Sequence, residues 1–298
     1  VRALITGGNG FVGRHLAAHL SAHGDDVTVT DVEVDVTDVS SVAAALEATQ
    51  PEVIYHLAAL SHVGASWSDP SSVLTVNVVG TGVVLAAARA VVPTARVLVI
   101  SSAEVYGVVH EDDLPLTESR PLAPASPYAA SKAAAEQIAL QGFRGFGQDV
   151  LVVRPFNHVG PGQSPAFAVA AFAKRIVDAE RSGASSLTVG NLSTRRDFTD
   201  VRDVVAAYRM LAIDGRPGEI SNVCSGVDVS MQAVVDALCE LSGRSITLEV
   251  DPALFRPVDV PVLRGSAEFL YATTGWEPTI TLATTLADVL ADWRERES

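Results

Sequence analysis

Two hydrophobic rhythms alternate along the chain. Val1 to Thr6 is a short apolar run, and Gly7-Gly-Asn-Gly-Phe-Val-Gly13 follows at once. Phe11, Val12, His15, Leu16, His19 and Leu20 then recur at helical spacing towards Gly24, and Asp26-Val-Thr-Val-Thr-Asp31 alternates like a strand that ends on a carboxylate. The pattern continues with a helix over Ser40–Thr49, a buried strand over Glu52–Ala58 and a helix over Asp69–Val92. The stretch Val78–Val92 is apolar nearly all round, which places it deep in a core or at a subunit contact. Arg96–Ser102 and Asp149–Arg154 read as strands on either side of a helix that begins at Pro127. This succession predicts an α/β fold: a doubly wound, mostly parallel sheet with helices on both faces. Ligands then lie beyond the carboxyl ends of the strands, where Gly10, Ala58, Ser102 and Asn157 meet.

One connection is irregular. Asp31 is followed almost immediately by Asp35-Val-Thr-Asp38, too short for a crossover of about a dozen residues. The next parallel strand is therefore expected to be rudimentary or absent. Asp35 is left either to meet an adenine or to cap the helix Ser40–Thr49, the first being preferred. In the second half, Ala166–Arg181, Val201–Ile213 and Ser230–Leu241 read as helices, Leu187–Val189 as a short strand, and Glu219–Cys224 as a strand returning to the sheet. No repeats or low-complexity linkers separate the parts, so two interleaved domains are expected. Residues 1–158, with returning segments near 198–226, form a Rossmann dinucleotide-binding domain, and residues 159–197 and 227–298 a smaller substrate domain.

Composition narrows the setting. An apolar share of 48% and a charged share of 19% describe a globular protein, with no apolar run expected to span a bilayer and no signal peptide. Cys224 and Cys239 lack metal-ligand spacing and point to a reducing, cytoplasmic setting. Lys plus Arg number 21 against 35 for Asp plus Glu, a net charge of −14 that argues against nucleic acid or an anionic membrane as partner. An anionic substrate would require the few arginines to be gathered in one pocket.

Strand, glycine-rich turn, helix, strand and acid form the dinucleotide-binding unit. Gly7 permits the tight turn, Gly10 lets the backbone approach a diphosphate, and Gly13 lets helix pack on strand. The helix N-terminus offers N–H donors and a positive dipole end. Asp31 is expected to bind the adenosine ribose hydroxyls and repel a 2′-phosphate, favouring NAD(H); Arg14 beside the turn keeps NADP(H) open. Tyr128 and Lys132 stand one helical turn apart, so a phenol and an ammonium share a face as a tunable proton donor.

Thr6–Gly13, His56-Leu-Ala-Ala59, Asn77-Val-Val-Gly-Thr81, Ser101-Ser-Ala-Glu-Val-Tyr-Gly107, Tyr128-x-x-x-Lys132 and Arg154-Pro-Phe-Asn157 together resemble the extended short-chain dehydrogenase/reductases acting on nucleotide sugars. The resemblance implies that Ser102 hydrogen-bonds the reacting oxygen, Tyr128 exchanges its proton, and Lys132 holds the nicotinamide ribose while lowering the tyrosine pKa. It implies cofactor contacts from Gly7, Asn9, Gly10, Phe11, Val12, Gly13, Asp31, Asp35, Val36, Leu57, Ala58, Ala59, Tyr128, Lys132 and Pro155. Asn77 is assigned a helix-organising role, and a homodimer through a four-helix interface is expected.

The C-terminal motifs, Arg154 to Gln163, Val189 to Asp200, Asn222 to Gly226 and Arg256 to Leu263, resemble the branch that reduces the C4 ketone of GDP-4-dehydro-6-deoxy-D-mannose to GDP-D-rhamnose. That likeness implies a GDP-sugar substrate, with Asn157 as a contact, Arg196 and Arg256 as diphosphate ligands and Asp259 as a nucleotide-ribose ligand. Arg195 is expected to pair with a nearby acid. GDP-mannose 4,6-dehydratase and nucleotide-sugar 4-epimerase stay as alternatives, the first because a Glu stands at Glu104, which is otherwise read as a local structural acceptor. A non-catalytic dinucleotide sensor is disfavoured by the presence of Tyr128 and Lys132. His158 is assigned a buried or pocket-lining place without chemistry.

Overall fold

The computed structural model describes residues 1–255, 258 and 260–296. Its strands begin with β1 (Arg2–Thr6), β2 (Asp26–Thr30), β3 (Val53–His56), β4 (Arg96–Ile100) and β5 (Val150–Pro155), and continue with β6 (Asn157–Val159), β7 (Ser186–Val189), β8 (Arg195–Asp200) and β9 (Ile220–Val223). The main sheet has six strands in the order β2-β1-β3-β4-β5-β9, every neighbouring pair parallel. β2 is its outer strand, so the short run after Asp31 adds none. Asp38, not Asp35, caps α2 (Val39–Thr49) by accepting the Ser40 amide at 2.9 Å. Asp35 instead folds onto Thr37, accepting its amide at 2.8 Å and its hydroxyl at 2.7 Å.

Both faces of the sheet are covered, which is why its inner strands β1, β3, β4 and β5 read as largely apolar runs. Ala3 and Ile5 face α1 (Phe11–Ala22) and α8 (Val201–Asp214), packing with Leu16, Leu98, Val204 and Tyr208. Leu4 points the other way, into a core with Leu46, Ile54, Val84, Leu85 and Leu140. That side is built by α2, by α5 (Gly80–Val91) and by α6 (Pro127–Phe146), after two short helices, α3 (Val63–Ser66) and α4 (Pro70–Leu74).

The expected single helix over Asp69–Val92 is interrupted. Between α4 and α5 the backbone widens into a π-turn over Thr75–Val79, centred on the buried Asn77. Pro70–Val91, at 22 residues, also has the length and apolarity of a membrane-crossing helix, against the expectation that no run would reach it. In this fold, however, α5 lies against α2 and α6 with Val84, Leu85, Ala87 and Ala88 buried.

A second core joins α7 (Ala168–Ser182), α9 (Met231–Ser242) and α11 (Leu282–Arg296) around Ile176, Val189, Val235, Leu238, Leu290 and Trp293. Beside it, β8 pairs with β6, with β10 (Asp228–Ser230) and with β12 (Val262–Leu263), while β11 (Thr247–Val250) pairs with β7. β8 was not expected as a strand, because Arg195-Arg-Asp-Phe-Thr-Asp200 is polar but for Phe198. It is nevertheless largely buried. Asp197 accepts from the Ser225 amide at 2.8 Å and the Gly226 amide at 2.9 Å, and Asp200 from Arg202 and Thr285. Glu268–Thr274 (α10) and α11 were likewise unanticipated.

Candidate active site

The turn between β1 and α1 is shaped by close approach. Gly7 has φ +69°, and a Cβ there would sit 2.8 Å from the Ala58 Cα. A Cβ on Gly13 would lie 2.5 Å from the Gly8 Cα, so α1 packs on the turn itself rather than on a strand. Gly8, given no role above, sits where a Cβ would come within 2.3 Å of Val29 Cγ1. Gly10 is the N-cap of α1, and no side chain caps that helix. The arrangement fits a dinucleotide diphosphate: N–H donors and the positive dipole end face a space kept open by glycine. Asn9 is clasped from both sides, its amide donating to Asp31 Oδ2 at 2.8 Å and its carbonyl accepting from Arg14 Nη1 at 2.8 Å. The Val36 side chain is core, packed beneath Gly80.

A buried hydrogen-bond chain joins this turn to Tyr128. Thr81 Oγ1 donates to the Asn77 carbonyl at 2.7 Å, so it accepts from His56 Nε2 at 3.1 Å. His56 Nδ1 then accepts from the Thr6 hydroxyl at 2.8 Å, whose oxygen accepts the Ala58 amide at 3.3 Å. The imidazole is thus neutral, and burial, with the Lys132 charge, pulls its pKa down to about 3. Asn77 Oδ1 accepts the Leu60 amide at 2.8 Å, and its Nδ2 donates to the Leu60 carbonyl at 3.1 Å and to Ser131 Oγ at 2.9 Å. Ser131 Oγ donates in turn to the Tyr128 carbonyl at 2.7 Å. Asn77 therefore organises more than its own helix: it ties the loop holding Leu57, Ala58 and Ala59 to α6.

α6 starts cleanly because Ser126 accepts the Ala129 amide at 3.1 Å and Pro127 occupies the first turn. The Tyr128 amide donates to Ser66 Oγ at 3.3 Å. Burial pushes the phenol up to about 12; the Ser102 hydroxyl beside it pulls down and the Glu104 charge pushes up. Burial, not Lys132, sets that direction. The Lys132 ammonium donates to the Ile100 carbonyl at 2.7 Å, and burial lowers its pKa to about 8, with Glu136 pulling the other way.

A cleft next to these groups is lined by Val63, Trp67, Glu104, Ser126, Arg196 and Val260. Arg196 is buried there, with Nη1 donating to the Arg195 carbonyl at 2.8 Å. Arg195 pairs with Asp228, as expected, and Arg264 Nη1 joins the same carboxylate at 3.2 Å. Glu104 is not the local acceptor expected: among the described residues its carboxylate accepts no hydrogen bond and borders the cleft instead. Asn157 is exposed at the start of β6, and Pro155 is buried at the end of β5. His158 is half-buried, stacked at 6.2 Å on Phe11, with its Nδ1–H on the Phe156 carbonyl at 3.1 Å. Arg256 and Asp259 lie outside the described residues. Trp67 carries no signal along the chain, and Thr6 and Thr81, though inside quoted motifs, gain a role only through their tertiary contacts to His56. Glu136 left a trace in the sequence, one further turn along the Tyr128–Lys132 face.

Comparison with known proteins adds an independent line. The GDP-mannose 4,6-dehydratase family matches residues 28–289. GDP-6-deoxy-D-mannose reductase of Pseudomonas aeruginosa is 38% identical over 298 residues, spanning 99% of this chain and 98% of that protein. The solved structure of RMD from Pseudomonas aeruginosa complexed with NADPH superposes with a TM-score of 0.92 at 36% identity, covering 99% of this chain and 100% of that one. UDP-glucose 4-epimerase of Thermus thermophilus, in complex with NAD, gives 0.89 at 30% identity over 99% of each chain.

Proposed function

Since the chain belongs to the extended short-chain dehydrogenase/reductases, within the GDP-mannose 4,6-dehydratase family, we propose that it reduces the C4 ketone of GDP-4-dehydro-6-deoxy-D-mannose to GDP-D-rhamnose with NADH or NADPH. The observation that carries this reading is the buried Tyr128 phenol beside Ser102, held fully protonated at neutral pH. A ketone reduction needs a proton at oxygen as hydride reaches carbon, and the nicotinamide supplies that hydride when bound. Tyr128 gives its proton to the carbonyl oxygen, Ser102 orients that oxygen, and Lys132 supports the phenolate that forms. The glycine turn and the α1 N-terminus hold the cofactor diphosphate. Arg196, joined by Arg256 and Asp259, takes the GDP moiety, and Asn157 contacts the sugar.

The test is an NMR-identified product from a coupled reaction with a GDP-mannose dehydratase, run with each cofactor. GDP-D-rhamnose with stoichiometric loss of absorbance at 340 nm supports the reading; an unchanged ketone rejects it. The carboxylate of Glu104 in the cleft favours one second reading, a dehydratase in which that group takes a sugar proton. Incubation with GDP-mannose and NAD⁺ separates the two, because a dehydratase yields the 4-keto sugar with no net NADH. We place the protein in the cytoplasm as a homodimer, through exposed positions of the π-turn, α5 and α6 (Val79, Ala86 and Ala90 facing Ala130 and Gln137 of a second copy). Light scattering that returns a monomer mass would remove the dimer.

A further inference from the structure

Three successive residues at the end of β4 are gripped by one face of α6. Ser102 lies beside the Tyr128 phenol, the Ile100 carbonyl takes the Lys132 ammonium at 2.7 Å, and Ser101 Oγ donates to Glu136. Tyr128, Lys132 and Glu136 occupy successive turns, so they act on β4 as one rigid comb. Glu136 is 0% exposed, and a lone carboxylate could not stay ionised there. Arg154 answers it with a two-pronged grip, Nε to Oε1 at 2.9 Å and Nη2 to Oε2 at 2.8 Å. The spare Arg154 nitrogen donates to Tyr106 Oη at 3.0 Å and to the Glu118 carbonyl at 3.2 Å, and Tyr106 donates to Asn222 at 2.7 Å. Ser101, Glu136 and Arg154 are buried at 3%, 0% and 3% exposure with their polar atoms engaged with one another, so none is placed to touch the sugar.

Buried ion pairs often stabilise a fold no better than apolar residues of the same volume. What this one supplies is direction: it joins α6, β4, β5 and β9 at the level of the reacting groups. We propose that the Glu136–Arg154 pair, acting through Ser101 and the Lys132 turn, is the positioning unit that sets the Ser102–Tyr128–Lys132 geometry, an inference that rests on the reductase reading. Ser101→Ala removes only the hydroxyl that links the pair to β4 and leaves the ion pair whole. It should lower kcat by ~10-fold or more, since displacements of about 1 Å cost up to ~100-fold. KM for the GDP-sugar and cofactor affinity should hold, and Ser101→Thr should restore most of the rate.

A substrate-free readout accompanies it. With lysines labelled at Cε, NMR follows the Lys132 titration; among the described residues the titratable groups coupled to that ammonium are Glu136 from α6 and His56 from β3. Glu136→Gln removes the one negative charge, so the titration should move to lower pH. Because that change strands a buried guanidinium, Glu136→Gln/Arg154→Met is measured beside it. An unchanged kcat in Ser101→Ala, or an unmoved Lys132 titration in both Glu136 variants, overturns the inference. Wild-type protein without turnover would count against the reductase reading instead and would leave the titration to decide this one.

Discussion

The Asp31 carboxylate and the Arg14 guanidinium hold the same residue, Asn9, from its N–H side and its carbonyl side, each at 2.8 Å. One charge suits a ribose diol and the other a phosphate monoester. Asp31→Ser should therefore raise the preference for NADPH over NADH by ~10-fold or more, the scale of removing one close like charge. Arg14→Ala should weaken NADPH more than NADH. Fluorescence titration with both cofactors checks this, and equal effects on the two would remove both residues from discrimination.

Tyr128→Phe deletes the proton donor and nothing in the scaffold around it, because the backbone amide keeps its bond to Ser66 and the carbonyl its bond to Ser131. Turnover should drop by ~10²–10⁴-fold, the usual worth of a positioned acid. NADPH affinity should stay within about twofold of wild type, as the lost hydroxyl makes little of the cofactor contact. A large affinity loss with residual turnover would contradict the assigned role.

Activity should decline on the alkaline side. Burial brings Lys132 down to about 8, so the ammonium that supports the phenolate is lost as pH rises through that value. The limb in kcat/KM, which reports the free enzyme, should have its midpoint near pH 8. A profile flat to pH 10 would show that the Lys132 charge does not govern the rate.

His56 predicts an acid weakness in the fold. Its folded pKa of about 3 lies below the ordinary 6.5, so the unfolded chain binds the extra proton first. The stability it contributes is whole above 6.5 and is lost as pH falls from there towards 3. The slope from this group is at most about 1.4 kcal/mol per pH unit. His56→Gln, less stable at neutral pH, should show a shallower loss in urea melts between pH 6.5 and 4; parallel curves for the two proteins would exclude His56 as the cause.

Arg196→Ala should weaken GDP binding by ~10–100-fold, the worth of a charge-assisted hydrogen bond, and leave NADPH binding unchanged. Arg195→Ala is the contrast, since Asp228 keeps Arg264 as a partner. Calorimetry with GDP separates them, and equal losses would place Arg196 outside the nucleotide site.

The inner strands β1, β3, β4 and β5 are legible along the chain because burial on both faces makes each a largely apolar run, and the edge strand β2 because its apolar and polar residues alternate. The glycine turn, Asp31, Ser102, Tyr128 and Lys132 are legible because their spacing is local. β8 is not, since its charged groups find their partners dozens of residues away: Asp197 and Asp200 accept from the Ser225 and Thr285 hydroxyls, and Arg195 pairs with Asp228. Nor is the π-turn at Asn77: the Val-rich run around it carries no breaker, and the widening goes with side-chain bonds to Leu60 and Ser131. Of the two readings of Asp35, the helix cap falls away because Asp38, three positions on, fills that place.

β9 and α8 come from late in the chain, yet β9 completes the main sheet and α8 covers the inner side of α1. Severing the polypeptide after residue 158 would not yield two self-sufficient pieces. The leading piece would forfeit its last strand and leave Leu16 and Leu20 facing water. During synthesis, the cofactor cradle has no finished floor until the ribosome has passed Val223.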